Sequence, residues 1–165
     1  QRSLAAAYQQ AGRLDDARQL LTEAAELYRS GPEPQLMSYA TILVMLGSLY
    51  TQREELDLAE SNLREAIKVC EQNKFDNWVN LDARARLGAV LMRRGMLDDA
   101  ENWLRTGYEG LKRQNGSIPP FSKKCVGEAL DQLIELARLR GQTSELGRWE
   151  TEKASLDSLC RAQAQ

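Results

Sequence analysis

Apolar positions along this chain recur as a two-part phrase. Leu4, Leu46 and Leu87 are each followed by a small residue (Ala5, Gly47, Gly88) and, three positions on, by Tyr8, Tyr50 or Leu91. Thirteen residues after each leucine stands an alanine: Ala17, Ala59 and Ala100, at intervals of 42 and 41. Leu21, Leu63 and Leu104 follow four residues later, then Ala24, Ala66 and Gly107. A weaker fourth copy runs through Leu133, Ile134, Ala137, Gly141 and Leu146. Spacings of three and four put each half-phrase on one helix face. Self-similarity at a fixed period of this size marks a repeat architecture.

The pattern predicts a helix over 1–11 and its partner over 14–30. Further helices are expected at 34–52, 55–73, 76–94, 97–114, 121–140 and 143–162. Gly12 and Gly95 end first helices, because glycine accepts the positive φ of a C-terminal cap. Asp15, Asp57 and Asp98 fall in the first turn of second helices, where an acid favours the positive end of the dipole. The small residues at 17, 47, 59, 88 and 100 let paired helices approach closely. "SGPEP" from Ser30 reads as a turn, and the glycine and prolines of "NGSIPP" from Asn115 exclude helix there. Leu146, Trp149, Leu156 and Leu159 give the last helix its apolar stripe.

The order Leu-Gly-x-x-Tyr, Gly, Ala, large apolar, Ala resembles the tetratricopeptide repeat (TPR) over nearly the whole chain. The usual period is about 34 residues, so the 41–42 here resembles the long, kinesin-light-chain-like variant. Leu43 and Arg84 stand where the first helix usually carries tryptophan. The resemblance implies an all-α, right-handed superhelical solenoid of antiparallel helix pairs. The expectation is one domain over 1–165, with repeats near 1–31, 34–74, 76–115 and 121–162. The chain opens at Gln1, inside a helical pattern and without methionine, as a piece of a longer protein would.

Composition narrows the function. Net charge is −2 over 165 residues, with acids and bases interleaved, so the basic stripe of a nucleic-acid binder is missing. The most apolar stretch, "ATILVMLG" from Ala40, is a buried-helix length, and no membrane partner is expected. Histidine is absent and the three cysteines (Cys70, Cys125, Cys160) are far apart. That removes the commonest general base and metal ligand and suits a reducing, cytoplasmic setting. Asp15–Asp16 and Asp98–Asp99 recur at one repeat position, so they read as helix starts rather than a catalytic pair. Trp103 and Trp149 are expected to pack, and Trp78 to pack between repeats. Asn115-Gly116-Ser117 reads as a turn rather than a glycosylation acceptor. No catalytic residue, cofactor or metal is expected.

In the family the resemblance names, first helices line a concave groove. It places Thr41, Val44, Met45, Ser48, Thr51 and Gln52 there from the second repeat. From the third come Asp82, Ala85, Arg86, Ala89, Met92 and Arg93, and from the fourth Glu128, Asp131, Gln132, Glu135, Arg138 and Leu139. The best groove candidates are Thr41, Met45, Ser48, Gln52, Asp82, Arg86, Ala89, Arg93, Gln132 and Glu135. Arg86 and Arg93 suit carboxylates. Arg2 and Ala6 depart from the chaperone-tail clamp of some relatives. The function expected is non-catalytic binding of a protein or peptide partner. More loosely, "LAAAYQQAGRLDDARQLL" and "GRWETEKASL" resemble the repeat tails of bacterial serine/threonine kinases, which implies a recruiting region. Two further functions fit the same residues: self-assembly through Leu4 and Tyr8 into a homo-oligomer, and reception of a small ligand.

Overall fold

The computed structural model describes residues 12–31, 35–119 and 123–163, with side chains to Ser158. The first expected helix, with Leu4, Tyr8, Arg2 and Ala6, lies outside these residues, as do most of "SGPEP" and the side chains of Leu159 and Cys160. The described residues form α1 (Leu14–Ser30), α2 (Leu36–Gln52), α3 (Leu56–Gln72) and α4 (Trp78–Arg93). They continue as α5 (Leu97–Arg113), α6 (Lys124–Leu139) and α7 (Thr143–Gln163). No strand occurs among them. The molecule is an all-α helical-repeat solenoid. One correction concerns "NGSIPP", where a single 3-10 turn forms at Asn115–Ser117. The turn fits because glycine is tolerated in so short a helix and the prolines follow it, and buried Ile118 then anchors the connection.

The phrase residues are the core. Ala17, Ala59 and Ala100 are fully buried, as are Leu63, Leu87 and Leu104. Gly47 and Gly88 show why the position after the leucine must be small. A Cβ on Gly47 would sit 2.6 Å from Leu63 Cγ. One on Gly88 would lie 2.8 Å from the backbone N of Leu104 and 2.9 Å from the Ala100 carbonyl. A flexible leucine can yield, but a helix backbone cannot. We therefore expect Gly88→Ala to lower stability by up to about 2 kcal/mol: overpacking costs about 1–3 kcal/mol and helix propensity returns only ~1 kcal/mol. Gly147→Ala, at an exposed position of α7 with nothing within 4 Å, should instead gain about 0.5–1 kcal/mol. Urea unfolding followed by circular dichroism reads both signs.

Each described turn from first to second helix closes alike. Gly95 N–H donates to the Met92 carbonyl and Met96 N–H to Leu91, both at 3.0 Å, which is a Schellman end. The left-handed residue is Gly12, Gly95 or Gly141 at φ of 72°, 79° and 65°, but in the second repeat it is Glu54 at 59°. That glutamate keeps the turn without glycine's freedom.

An arginine ladder registers the stack. Arg53 Nη1 donates to Asp15 Oδ1 at 2.8 Å, Arg94 to Asp57 at 2.6 Å, and Arg140 to Asp98 at 2.7 Å. Every arginine ends a first helix, and every aspartate starts the preceding second helix. The aspartates are exposed, so each pair contributes little free energy but fixes one repeat on the next. Besides packing along the chain, α2 contacts α4 and α4 contacts α6. First helices therefore share one face. No helix among the described residues is long and apolar enough to cross a membrane.

Candidate functional site: a cleft across three first helices

That shared face holds a cleft of about 200 Å³. From α2 it takes Ser48, Thr51 and Gln52; from α4, Asp82, Ala85, Arg86, Ala89 and Arg93; from α6, Cys125, Glu128, Ala129 and Gln132. The footprint slides from the C-terminal end of α2, through the middle of α4, to the N-terminal half of α6. It crosses the helices diagonally. Of the ten groove candidates, Ser48, Gln52, Asp82, Arg86, Ala89, Arg93 and Gln132 line it, and Thr41, Met45 and Glu135 lie beyond its ends. The Thr41 hydroxyl donates to the Met37 carbonyl at 2.9 Å, Met45 packs on the core, and Glu135 lies 3.9 Å from Arg138. Val44 and Met92 are buried in the core.

The diagonal follows from repeat rotation. Positions equivalent along the sequence shift along the groove from one helix to the next. Cys125 and Ala129 were missed for this reason. Cys125 precedes Glu128, the first position expected from the fourth repeat, and Ala129 falls between the expected Glu128 and Asp131, so the repeat register points to neither.

Arg86 is the centre of the cleft, and its guanidinium ties three repeats together. Nε donates to both Asp82 oxygens at 3.0 Å, Nη1 to Ser48 Oγ at 2.7 Å, and Nη2 to Glu128 Oε2 at 3.0 Å. Burial opposes its charge, but Asp82 and Glu128 outweigh burial and raise its pKa, so it stays cationic. Burial pushes the Asp82 carboxyl up from its ordinary range, against the pull of Arg86. Arg93 Nη1 donates to the Thr51 carbonyl at 3.2 Å and to Glu54 Oε1 at 2.7 Å. Sequence spacing made these two arginines open grips for a partner; both instead hold carboxylates of their own chain. Reversing Arg86 would place three acids together and disturb the fold, so it is unsuitable as a binding test.

Desolvation pushes the Cys125 thiol up to about 12 and Cys70 to about 11. Neither presents a thiolate near neutrality. Among the described residues no group of acids and cysteines is arranged to hold a metal ion. Gln52 and Gln132 carry amides that make no hydrogen bond among the described residues. The cleft thus offers Ala85, Ala89 and Ala129, two glutamine amides and a set of internally balanced charges.

The tryptophans stand apart from the cleft. Trp149 is 2% exposed and meets Tyr108 edge-on at 5.7 Å. Trp103 is only partly buried, and the Arg84 guanidinium covers it at 5.5 Å. Arg84 occupies the first-helix place that usually holds tryptophan, so the aromatic contact has moved to the second helix. Trp78 packs against the core.

Comparison with known proteins places this arrangement. A model of the MalT-like TPR region family matches residues 1–161. The chain belongs to this family. This MalT-like TPR chain is similar in structure to BtubC (BKLC) from P. vanneervenii. The two share 17% identity with a TM-score of 0.77, over 92% of this chain and 59% of that one. The MalT-like TPR chain thus spans less than two thirds of that relative. Two structures of putative kinesin light chain nearly identical TPR-like repeats from Podosopora anserina also match. One, a single-substitution form, gives 18% identity and a TM-score of 0.60, over 97% of this chain and 91% of that one. The other gives 13% and 0.58, over 96% and 93%. At these identities the likeness is one of fold. The kinesin-light-chain-like expectation holds at that level, while these matches lend nothing to the kinase-tail resemblance. No curated protein matches the chain.

Proposed function

We propose that the chain is a non-catalytic docking module whose partner, a protein segment, lies along the diagonal cleft. Repeats of this fold generally mediate protein–protein interaction, and they are typically non-catalytic. The observation that carries the reading is one continuous cleft built from three successive repeats, lined by Gln52 of α2 and Gln132 of α6. A peptide backbone offers both donors and acceptors to their amides. The four repeats act as one solenoid unit in this reading. Two buried free cysteines, Cys70 and Cys125, suit a reducing, cytoplasmic location.

Photo-crosslinking tests the site. A benzophenone side chain at Gln52 should capture the partner, while one at exposed Lys68 on α3 should not. Equal capture at both positions would show that the partner does not use the cleft. Self-assembly through Leu4 and Tyr8, which lie outside the described residues, is measured directly by sedimentation across a concentration series.

A further inference from the structure

Each cleft arginine is neutralised by a carboxylate from a neighbouring repeat. Glu128 of α6 takes Arg86 Nη2, and Glu54 of the α2–α3 turn takes Arg93 Nη1. These two acids are held loosely. Their side chains are 44% and 69% exposed, against 8% for Asp82, which grips the Nε side of Arg86. Exposed pairs of this kind contribute little net stability, whereas a cation drawn into a cleft must keep a partner. Exchange of one carboxylate for another is therefore nearly free, and loss without replacement is not. Both sites are ready for exchange. A displaced Glu128 still has Lys124 Nζ 3.5 Å from its other oxygen, and Arg93 retains the Thr51 carbonyl.

The spacing selects the incoming chain. Arg86 and Arg93 start from backbone positions two helical turns apart on α4, a rise of about 10.5 Å. In a polyproline-type segment, residues i and i+3 share a face at about 9.3 Å, within reach of flexible acidic side chains. In a β-strand the same pair points to opposite faces.

We propose that Glu54 and Glu128 stand in for a partner's carboxylates, and that the cleft recognises a polyproline-type peptide with acidic side chains three residues apart, which displaces them. The inference rests on the cleft reading above and adds its chemistry. Gln52 and Gln132 hold the peptide amides, and the two arginines set its register. A neutral peptide leaves the internal glutamates in place and gains nothing from the arginines.

The test uses two fluorescein-labelled peptides, Gly-Glu-Pro-Pro-Glu-Gly and Gly-Gln-Pro-Pro-Gln-Gly, titrated by fluorescence anisotropy. Glu54→Gln/Glu128→Gln removes the competing carboxylates. It should tighten the acidic peptide by about tenfold, with affinity falling as salt rises, and leave the glutamine peptide unchanged. Were the two glutamates merely structural, the double variant would bind no better than the parent. Equal binding of both peptides, or no binding of the acidic one to the double variant at millimolar concentration, overturns the inference. Benzophenone capture at Gln52 separates the layers. If the glutamine peptide is captured as well as the acidic one, the cleft stands and its acidic chemistry falls; if neither is captured, the cleft itself falls.

Discussion

Trp149→Ala removes about 3–5 kcal/mol of stability and releases α7 from the solenoid before the rest unfolds. Trp149 is the largest fully buried side chain. Its ring is edge-on to Tyr108 of α5, with the guanidiniums of Arg105 and Arg148 at 5.3 Å and 4.6 Å from its centroid. In the third repeat the site one residue on is Leu104; in the fourth it is Glu150, so Trp149 alone must fill the space. Polar links also join α5 and α7: Arg105 to Glu145 at 2.6 Å, Tyr108 to Glu152 at 2.7 Å, and Lys112 to Glu152. Stacked repeats touch only their neighbours, so hydrogen exchange should quicken in α6 and α7 while α2–α4 amides stay protected. Uniform exchange loss across all helices would show that Trp149 does not act locally.

The same clasp gives a pH sign. Burial works to raise the Glu152 carboxyl, but Lys112 and Tyr108 outweigh it and hold it below the ordinary carboxylate range. A depressed carboxyl stabilises above its ordinary pKa, and that contribution is lost as pH falls through the depressed value. Acid therefore works in the same direction as the mutation.

Packing within one helix pair was legible in the sequence because it repeats. A leucine, a small residue and an alanine thirteen later specify two antiparallel helices without knowledge of anything beyond the pair. That is why the boundaries of α1, α5 and α7 fell within a residue or so of expectation. Relations between pairs were not legible. Asp15, Asp57 and Asp98 looked complete as first-turn acids, yet each also receives an arginine of the next repeat. Arg53, Arg94 and Arg140 end first helices, where the dipole alone favours a cation, so local pattern explains them without the partner in the preceding repeat. The ends of the cleft were not legible for the same reason: Thr41, Met45 and Glu135 obey the repeat register, but the cleft obeys the rotation between repeats. Arg86 lines the cleft, and its partners 38 and 42 residues away leave no trace in local pattern.

Asp82→Ala is expected to cost about 3 kcal/mol, the lower end for breaking a buried ion pair by removing one partner. The carboxylate accepts Nε of Arg86 through both oxygens, and its loss leaves that edge of the guanidinium in a cleft lined by Ala85, Ala129 and the Cys125 thiol. Ser48 and Glu128 remain on the other edge, which is why the cost stays at the low end. Arg86→Met alone should be nearly as damaging, because Asp82 then becomes a buried carboxylate without a cation. The double variant should recover most of the loss, since two apolar side chains can fill the space that the pair occupied. The coupling energy from the urea-unfolding cycle should therefore exceed about 1 kcal/mol. A cycle that closes near zero would mean that Asp82 and Arg86 each serve other partners, and that no single residue ties the three repeats. A large coupling places the cleft's charge in the architecture: the residue best placed to meet a partner is also the one that holds α2, α4 and α6 at their spacing. Affinity and groove width could then not be changed independently at Arg86, whereas Glu54 and Glu128, outside that pair, remain open to change.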